Sequence, residues 1–397
     1  MLYQDWPPLS DTLKHAVTTF KAKQPQVTLT LVPVGYGDLP TKVKTAIAAG
    51  AGPEMFHTYS DFWRAVDASQ VMLALTPLLF SRDELNQLTF PTLLDSVPAK
   101  RKEVYLLPYA DGLNGDALLY NKTLLASGAV DPNNLTTLDD IISAGAKLTQ
   151  AQGGTISRAG NQIDNKQDPI RNWILDQGDT FYDTQNHKWT WQTNAAEQAM
   201  QKIVDFYKQG TAWVKAPQGI KDPIGEAQAA MKPAAGFYEL SGYAKSYPHT
   251  ELVDVPMPGF VPGKDPHYFQ TAISGFALSA LLKPGDERAK IGAAFLRHLF
   301  SPSEVTALAD QYSGAIFING IYSDAGFKGT TFGPVRSFLS DKVIAHTLMM
   351  DMAVEPGFGT QINNVIAGTQ SIQAALAEMQ QIYTGKEDEA RKNMTQG

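Results

Sequence analysis

Five places in this 397-residue chain set an aromatic ring beside a group that could hold a small molecule. Trp6 lies past a first strand-like run and before Pro7-Pro8. Tyr59 and Trp63 flank Asp61, and Tyr109 stands two residues before Asp111. Trp173 sits in a polar-to-apolar transition, and Tyr238 directly precedes Glu239. Two chemistries use such groups. Aromatic faces stack on the apolar C–H faces of sugar rings, while carboxylates accept hydrogen bonds from hydroxyls. A pair of carboxylates drawn from Asp61, Asp111 and Glu239 could instead hydrolyse a glycoside, which requires a set separation between them. Chain spacing does not supply that separation, so both chemistries share these residues. Trp189 and Trp191 alternate with Lys188 and Thr190 and read as core.

Other chemistries lack their residues. Gly35-Tyr36-Gly37-Asp38-Leu39-Pro40 lies between a strand and a helix, as a dinucleotide fingerprint would. Pro40 replaces its third glycine, however, and no acid closes the next strand. There is no G-x-S-x-G elbow and no H-E-x-x-H, and the seven histidines lack organised spacing. Asp164-Asn165-Lys166-Gln167-Asp168 lacks the glycine and terminal Glu of a calcium loop and reads as solvated. With no cysteine, disulfides and thiolate catalysis drop out. No cofactor is expected. A net charge of -7 argues against a nucleic-acid binder, which needs a basic stripe. No apolar run approaches the roughly 20 residues that span a bilayer. No signal segment is read at Met1, which runs directly into Leu2-Tyr3-Gln4.

The elements that must position these groups alternate. Leu13, Val17 and Phe20 share one face of a helix predicted over Ser10 to Lys23 and ended by Pro25. Val27 to Val32 reads as a strand, Lys42 to Ala49 as a helix stopped by Gly50, and Pro53 onward as a buried strand. Such alternation implies α/β with a parallel sheet. From Asp111 a polar joint enters the strand-like Ala117-Leu118-Leu119-Tyr120. A short helix closed by Gly128 follows, then a helix entered through Thr136/Thr137 with Asp139 and Asp140 in its first turn. Further helices are predicted over Leu138–Thr149, Pro169–Gln177, Asn194–Gln209 and Asp286–Phe300, the last ending at Pro302. Ala272–Leu278 is strand-like, and Thr360–Thr384 is an amphipathic tail helix.

Six short motifs in order carry a resemblance that spans most of the chain. They are Thr45 to Glu54 (TAIAAGAGPE), Val104 to Tyr109 (VYLLPY), Leu119 to Leu125 (LYNKTLL), Leu138-Asp139-Asp140 with Ala146 to Thr149, Ala229-Ala230-Met231 ahead of Gly236-Phe237-Tyr238, and Val255 to Gly259 (VPMPG). Together they resemble the extracellular solute-binding proteins of ABC importers, in the maltose-binding-protein-like sugar branch. The resemblance implies a two-lobed, type II periplasmic-binding-protein fold, each lobe a mainly parallel sheet flanked by helices, with ligand between the lobes and hinge closure around it. Expected boundaries are 1–110 and 272–317 for the N-terminal lobe, and 113–270 and 320–397 for the C-terminal lobe. Crossings are expected near 109–113, 270–274 and 316–320.

By position, the resemblance implies ligand contacts at Trp6, Asp61, Asp111, Trp173 and Tyr238, with Tyr59 and Glu239 beside them. Trp173→Ala and Tyr238→Ala are then expected to abolish binding and leave folding intact. It also implies no enzymatic activity, a mono- or oligosaccharide ligand, ABC permease subunits as partners, and a monomer. The location would be periplasmic, or lipid-anchored at the outer face of the cytoplasmic membrane. A polyol phosphate or similar anion is the alternative ligand and would need Lys42, Arg64, Arg171 and Lys245 as cations. Three positions depart from the pattern. Ala227 stands where glycine is usual, Asn319 where proline is common, and Phe237-Tyr238 where tryptophan is frequent.

Overall fold

The computed structural model describes all residues except 60–67, 91–92, 95–98, 101–102, 112–116, 164–167, 184–185, 187, 214, 265, 268, 271–272, 334–347, 350–357 and 396–397. The chain divides into two compact units. One comprises Met1–Asp111, Gln270–Glu355 and Glu387–Gly397, and the other Gly112–Phe269 and Pro356–Lys386.

The first unit is built on a sheet in which Val32–Val34, Leu2–Gln4, Met55–Tyr59, Ser274–Ser279 and Met72–Leu73 lie side by side, with Leu107–Pro108 also paired to Ser274–Ser279. The first three strands run parallel. Ser274–Ser279 runs antiparallel to each of its neighbours because the chain re-enters this unit from the other direction. All six of its residues are buried. Gly275 is required there: a Cβ would lie 2.3 Å from the Leu107 carbonyl oxygen. Helix Pro7–Lys23 covers the sheet and packs on Pro302–Gln311 and Glu287–Leu299, with Phe20 edge-on to Phe295 at 5.3 Å. It starts earlier than its apolar period suggests, because Pro7 and Pro8 suit the first helical turn, where no N–H partner is needed.

The second unit holds a sheet ordered Gln150–Gln152, Thr155–Asn161, Ala229–Ala235, Ala117–Asn121, Leu252–Pro256. Only Thr155–Asn161 and Ala229–Ala235 run parallel; the other pairings are antiparallel. The fold is therefore α/β with mixed sheets, which corrects the expectation of mainly parallel ones. Helix Leu138–Leu148 enters through a capping box in which Thr137 Oγ1 accepts the Asp140 N–H and Asp140 accepts the Thr137 N–H. It presses Gly145 against Gly160, where a Cβ would meet the Gly145 oxygen at 1.7 Å. Asp168–Asp176 packs on Asn194–Lys208. Trp189 and Trp191 are core as expected, at 4% and 0% exposed.

Other expectations shift. Pairing of the second strand begins only at Val32, whose Cα partner is Leu2; Val27 to Leu31 form no strand. Pro302 opens a new helix, Pro302–Gln311, rather than only ending the previous one. The tail is two helices, Gly359–Ala367 and Ile372–Thr395, broken at Gly368 with φ 74°. Ala325–Lys328, expected in the second lobe, packs on Pro302–Gln311 in the first unit.

Candidate functional site

In the first unit the three parallel strands end on the same edge, and their carboxyl ends carry the exposed polar and aromatic groups. Leu2–Gln4 runs into Asp5 and Trp6, Val32–Val34 into Tyr36 and Asp38, and Met55–Tyr59 ends on Tyr59 itself. Ligands of open α/β sheets bind beyond such ends. The Tyr59 hydroxyl donates to Gln4 Oε1. Its ring meets Tyr36 edge-on at 5.1 Å and His57 at 5.5 Å. Tyr36 is 47% exposed, one of few large apolar side chains so placed among the described residues. Trp6 is half-buried, occupies the position just before the Pro7–Lys23 helix without a side-chain capping bond, and stands 5.0 Å from Tyr312 at 87°. Asp5 accepts from Ser10 Oγ at 3.3 Å, and its N–H donates to Val34 O at 2.8 Å, joining two strand ends. His57 lies behind this surface at 2% exposed, and burial lowers its pKa to about 3, so it stays neutral and adds no charge.

Of the expected contacts in this unit, Trp6 and Tyr59 lie on this edge. Asp61, and Arg64 among the alternative cations, fall outside the described residues. The Asp111 backbone belongs to a short strand, Ala110–Asp111, paired with Ala315–Ile316. Tyr36 lies on the same edge, within the Gly35 to Pro40 stretch whose sequence resembles an incomplete dinucleotide fingerprint. It shares with Trp6 and Tyr59 the signal of an aromatic within two residues of a strand end.

In the second unit the strand Ala229–Ala235 ends at Gly236-Phe237-Tyr238, and helix Glu239–Ser246 begins there. Phe237 is fully buried, whereas Tyr238 is half-buried. Tyr238 O accepts from Ser241 Oγ at 2.8 Å. Glu239 is held from both sides: Oε2 lies 2.6 Å from Lys232 Nζ, and Oε1 accepts the Gly236 N–H at 3.0 Å. Trp173 differs from its expectation. It is 1% exposed, stacked on Phe206 at 6.1 Å and tilted against Phe260 at 6.2 Å. Its apolar neighbours on the Asp168–Asp176 helix turn it inward, so it belongs to the core. Arg171 on the same helix is 0% exposed and paired with Asp168. Lys245 is exposed on another helix of this unit, and Lys42 is exposed in the first unit. Among the described residues, no group of three or more His, Cys, Asp or Glu could hold a metal.

The family model for bacterial extracellular solute-binding proteins matches residues 6–305. No curated protein matches. Solved structures share the fold. The GacH receptor of Streptomyces glaucescens, solved unliganded and with acarbose and an acarbose homolog, aligns with a TM-score of 0.76 at 17% identity, over 98% of each chain. The maltose/maltodextrin-binding domain MalE of Bdellovibrio bacteriovorus, bound to maltotriose, aligns at 0.73 and 19% over 98% of each chain. UgpB of Mycobacterium tuberculosis, in complex with glycerophosphocholine, aligns at 0.74 and 16% over 99% of each chain.

Proposed function

We infer what this chain does from its family: it belongs to the bacterial extracellular solute-binding proteins. We propose that its solute is a carbohydrate, a mono- or oligosaccharide, bound without chemical change and passed to the membrane subunits of an ABC importer. It would work outside the cytoplasmic membrane, free or anchored. Among the described residues no helix is long and apolar enough to cross a membrane.

The observation that carries the carbohydrate reading is the edge formed by Trp6, Tyr36 and Tyr59 with Gln4, Asp5 and Asp38. Rings there can stack on sugar C–H faces, while amide and carboxylate oxygens accept from hydroxyls. A micromolar affinity corresponds to roughly -8 kcal/mol, which a stacked ring or two and a few charge-assisted hydrogen bonds can reach. The proposed contacts are Trp6, Tyr36, Tyr59 and Tyr238, with Asp61 and Asp111 retained from their positions in the sequence. Trp173 and Glu239 are left out, since the core holds one and Lys232 the other.

The test is a thermal-shift screen against maltotriose, smaller sugars, ribitol and glycerophosphocholine. A ligand at 100 times its Kd stabilises the folded state by about 2.7 kcal/mol. A shift with a sugar, followed by a one-site isotherm without product, supports the proposal. A shift with glycerophosphocholine alone, or turnover of a chromogenic glycoside, overturns it.

A further inference from the structure

The strand that leads to Tyr238 is irregular where it matters. Lys232 pairs with Leu119 and Ala235 with Ala117, so Pro233 and Ala234 together oppose Leu118. This is a β-bulge, and Ala234 adopts φ 57° within it. Bulges re-aim a strand end and recur beside binding sites. Here the bulge stands directly before the Gly236–Tyr238 turn, and one carboxylate bridges it. Glu239 takes the Lys232 ammonium from before the bulge and the Gly236 N–H from after it.

A third group faces this bridge. Asp254, on Leu252–Pro256, pairs with Leu119 from the opposite side to Lys232. Directly opposed residues share a face of the sheet, so Lys232, Leu119 and Asp254 lie in one row. Helix Glu239–Ser246 packs against the Asp254 strand. Asp254 is 4% exposed, and neither of its oxygens has a hydrogen-bond partner among the described residues. The charged groups acting on it are Glu239 from the helix and Lys232 from the bulged strand. An unpartnered buried carboxylate is costly, and it would compete with Glu239 for the one ammonium.

We propose that Lys232, Glu239 and Asp254 act as one positioning unit for the Gly236–Tyr238 turn, with Lys232 committed to Glu239 and Asp254 kept out of the ion pair. Glu239 thereby holds the turn and aims Tyr238, rather than touching the solute. Asp254 plays its part as the neutral acid: burial first, then the Glu239 charge, push its carboxyl well above the ordinary range, while Lys232 opposes them. Ionising it draws Lys232 off Glu239 and loosens the bulge. The consequence for binding rests on the proposed role of Tyr238; the arrangement of the three groups does not.

The test compares wild type with Asp254→Asn and Glu239→Gln, by thermal unfolding and by maltotriose titration from about pH 4 upward. An amide reproduces the shape of a neutral acid. Asp254→Asn is expected to fold as wild type does and to lack the loss of Tm and affinity that wild type shows as pH rises through the Asp254 ionisation. Glu239→Gln is expected to bind roughly tenfold more weakly. It should also lose that decline, because Lys232 is then left to Asp254. Severe destabilisation of Asp254→Asn throughout the range would overturn the proposal, as would a decline that survives in it unchanged. Folded Glu239→Gln with wild-type affinity would overturn the positioning role. If wild type does not bind maltotriose, the pH dependence of Tm in wild type and Asp254→Asn still decides the arrangement, separately from the carbohydrate reading.

Discussion

Tyr36 is 47% exposed and stands T-shaped against Tyr59, so it costs the fold little and leaves ring surface open to a ligand. Tyr36→Ala is expected to weaken sugar binding about tenfold, with Tm nearly unchanged; calorimetry and thermal unfolding of one sample separate the two effects. Trp173 is the contrasting case. Its ring packs on Phe206 and Phe260 at 1% exposure, so Trp173→Ala should destabilise by about 3–5 kcal/mol, measured by denaturant unfolding. Loss of binding in that variant would then follow loss of structure. The sequence showed an aromatic at each position but not which way it faces, because burial is set by partners distant in the chain. The two departures in backbone chemistry were more legible. Ala227, in place of glycine, adopts φ 55°, a left-handed conformation that costs a residue with a Cβ about 1–2 kcal/mol. Ala227→Gly should therefore stabilise by up to about 1 kcal/mol after the greater freedom of glycine in the unfolded chain is subtracted. Asn319, in place of proline, donates its N–H to Leu88 O at 3.3 Å and its side-chain amide to Asn86 O at 3.1 Å. Proline could make neither bond.

At the scale of elements, the helices were legible because their signals are local. Thr137 and Asp140 form the capping box that their spacing announces, and Asn121 caps the preceding short helix, Lys122–Ser127, by accepting the Leu124 N–H at 3.0 Å. Thr137→Ala is expected to cost about 1 kcal/mol, read as a lower midpoint in urea with an unchanged slope. Strand pairing was less legible. Ser274–Ser279 is a plain buried run in sequence, yet it lies antiparallel among strands hundreds of residues earlier. Only the path of the chain between units sets that direction. The bulge before Tyr238 was equally hidden: Lys232-Pro233-Ala234-Ala235 has no glycine to announce a left-handed residue, and the Lys232–Glu239 pair that spans it crosses seven positions. Sequence spacing drew attention to Glu239 because it adjoins Tyr238, and that adjacency is real. Its chemistry is directed inward, to Lys232 and the Gly236 N–H.

For the whole molecule, buried titratable groups make stability depend on pH in two opposing senses. His57 is fully buried against Tyr59 and Phe276, and burial lowers its pKa to about 3. His298, between the Pro7–Lys23 and Pro302–Gln311 helices, is lowered first by burial and then by Lys23 and His15, against the pull of Glu304. Both are neutral when folded and protonate more readily when unfolded. The unfolded chain therefore binds more protons as pH falls below the ordinary histidine value near 6.5, and stability declines from there towards the folded pKa. For His57 the full window, from 6.5 to about 3, is worth on the order of 5 kcal/mol. Asp176 and Asp254 act in the opposite sense. Burial raises both, so the folded state holds their protons more tightly, and stability is lost as pH rises from the ordinary carboxylate range through the folded pKa. The acid limb can be assigned by one substitution. Glutamine at position 57 is polar and does not titrate, so His57→Gln should show a shallower fall of Tm between neutral pH and about pH 4 than wild type, whatever its Tm at neutral pH. An acid limb of unchanged slope in that variant would remove His57 as its source and leave His298, whose own substitution by glutamine would then have to flatten it.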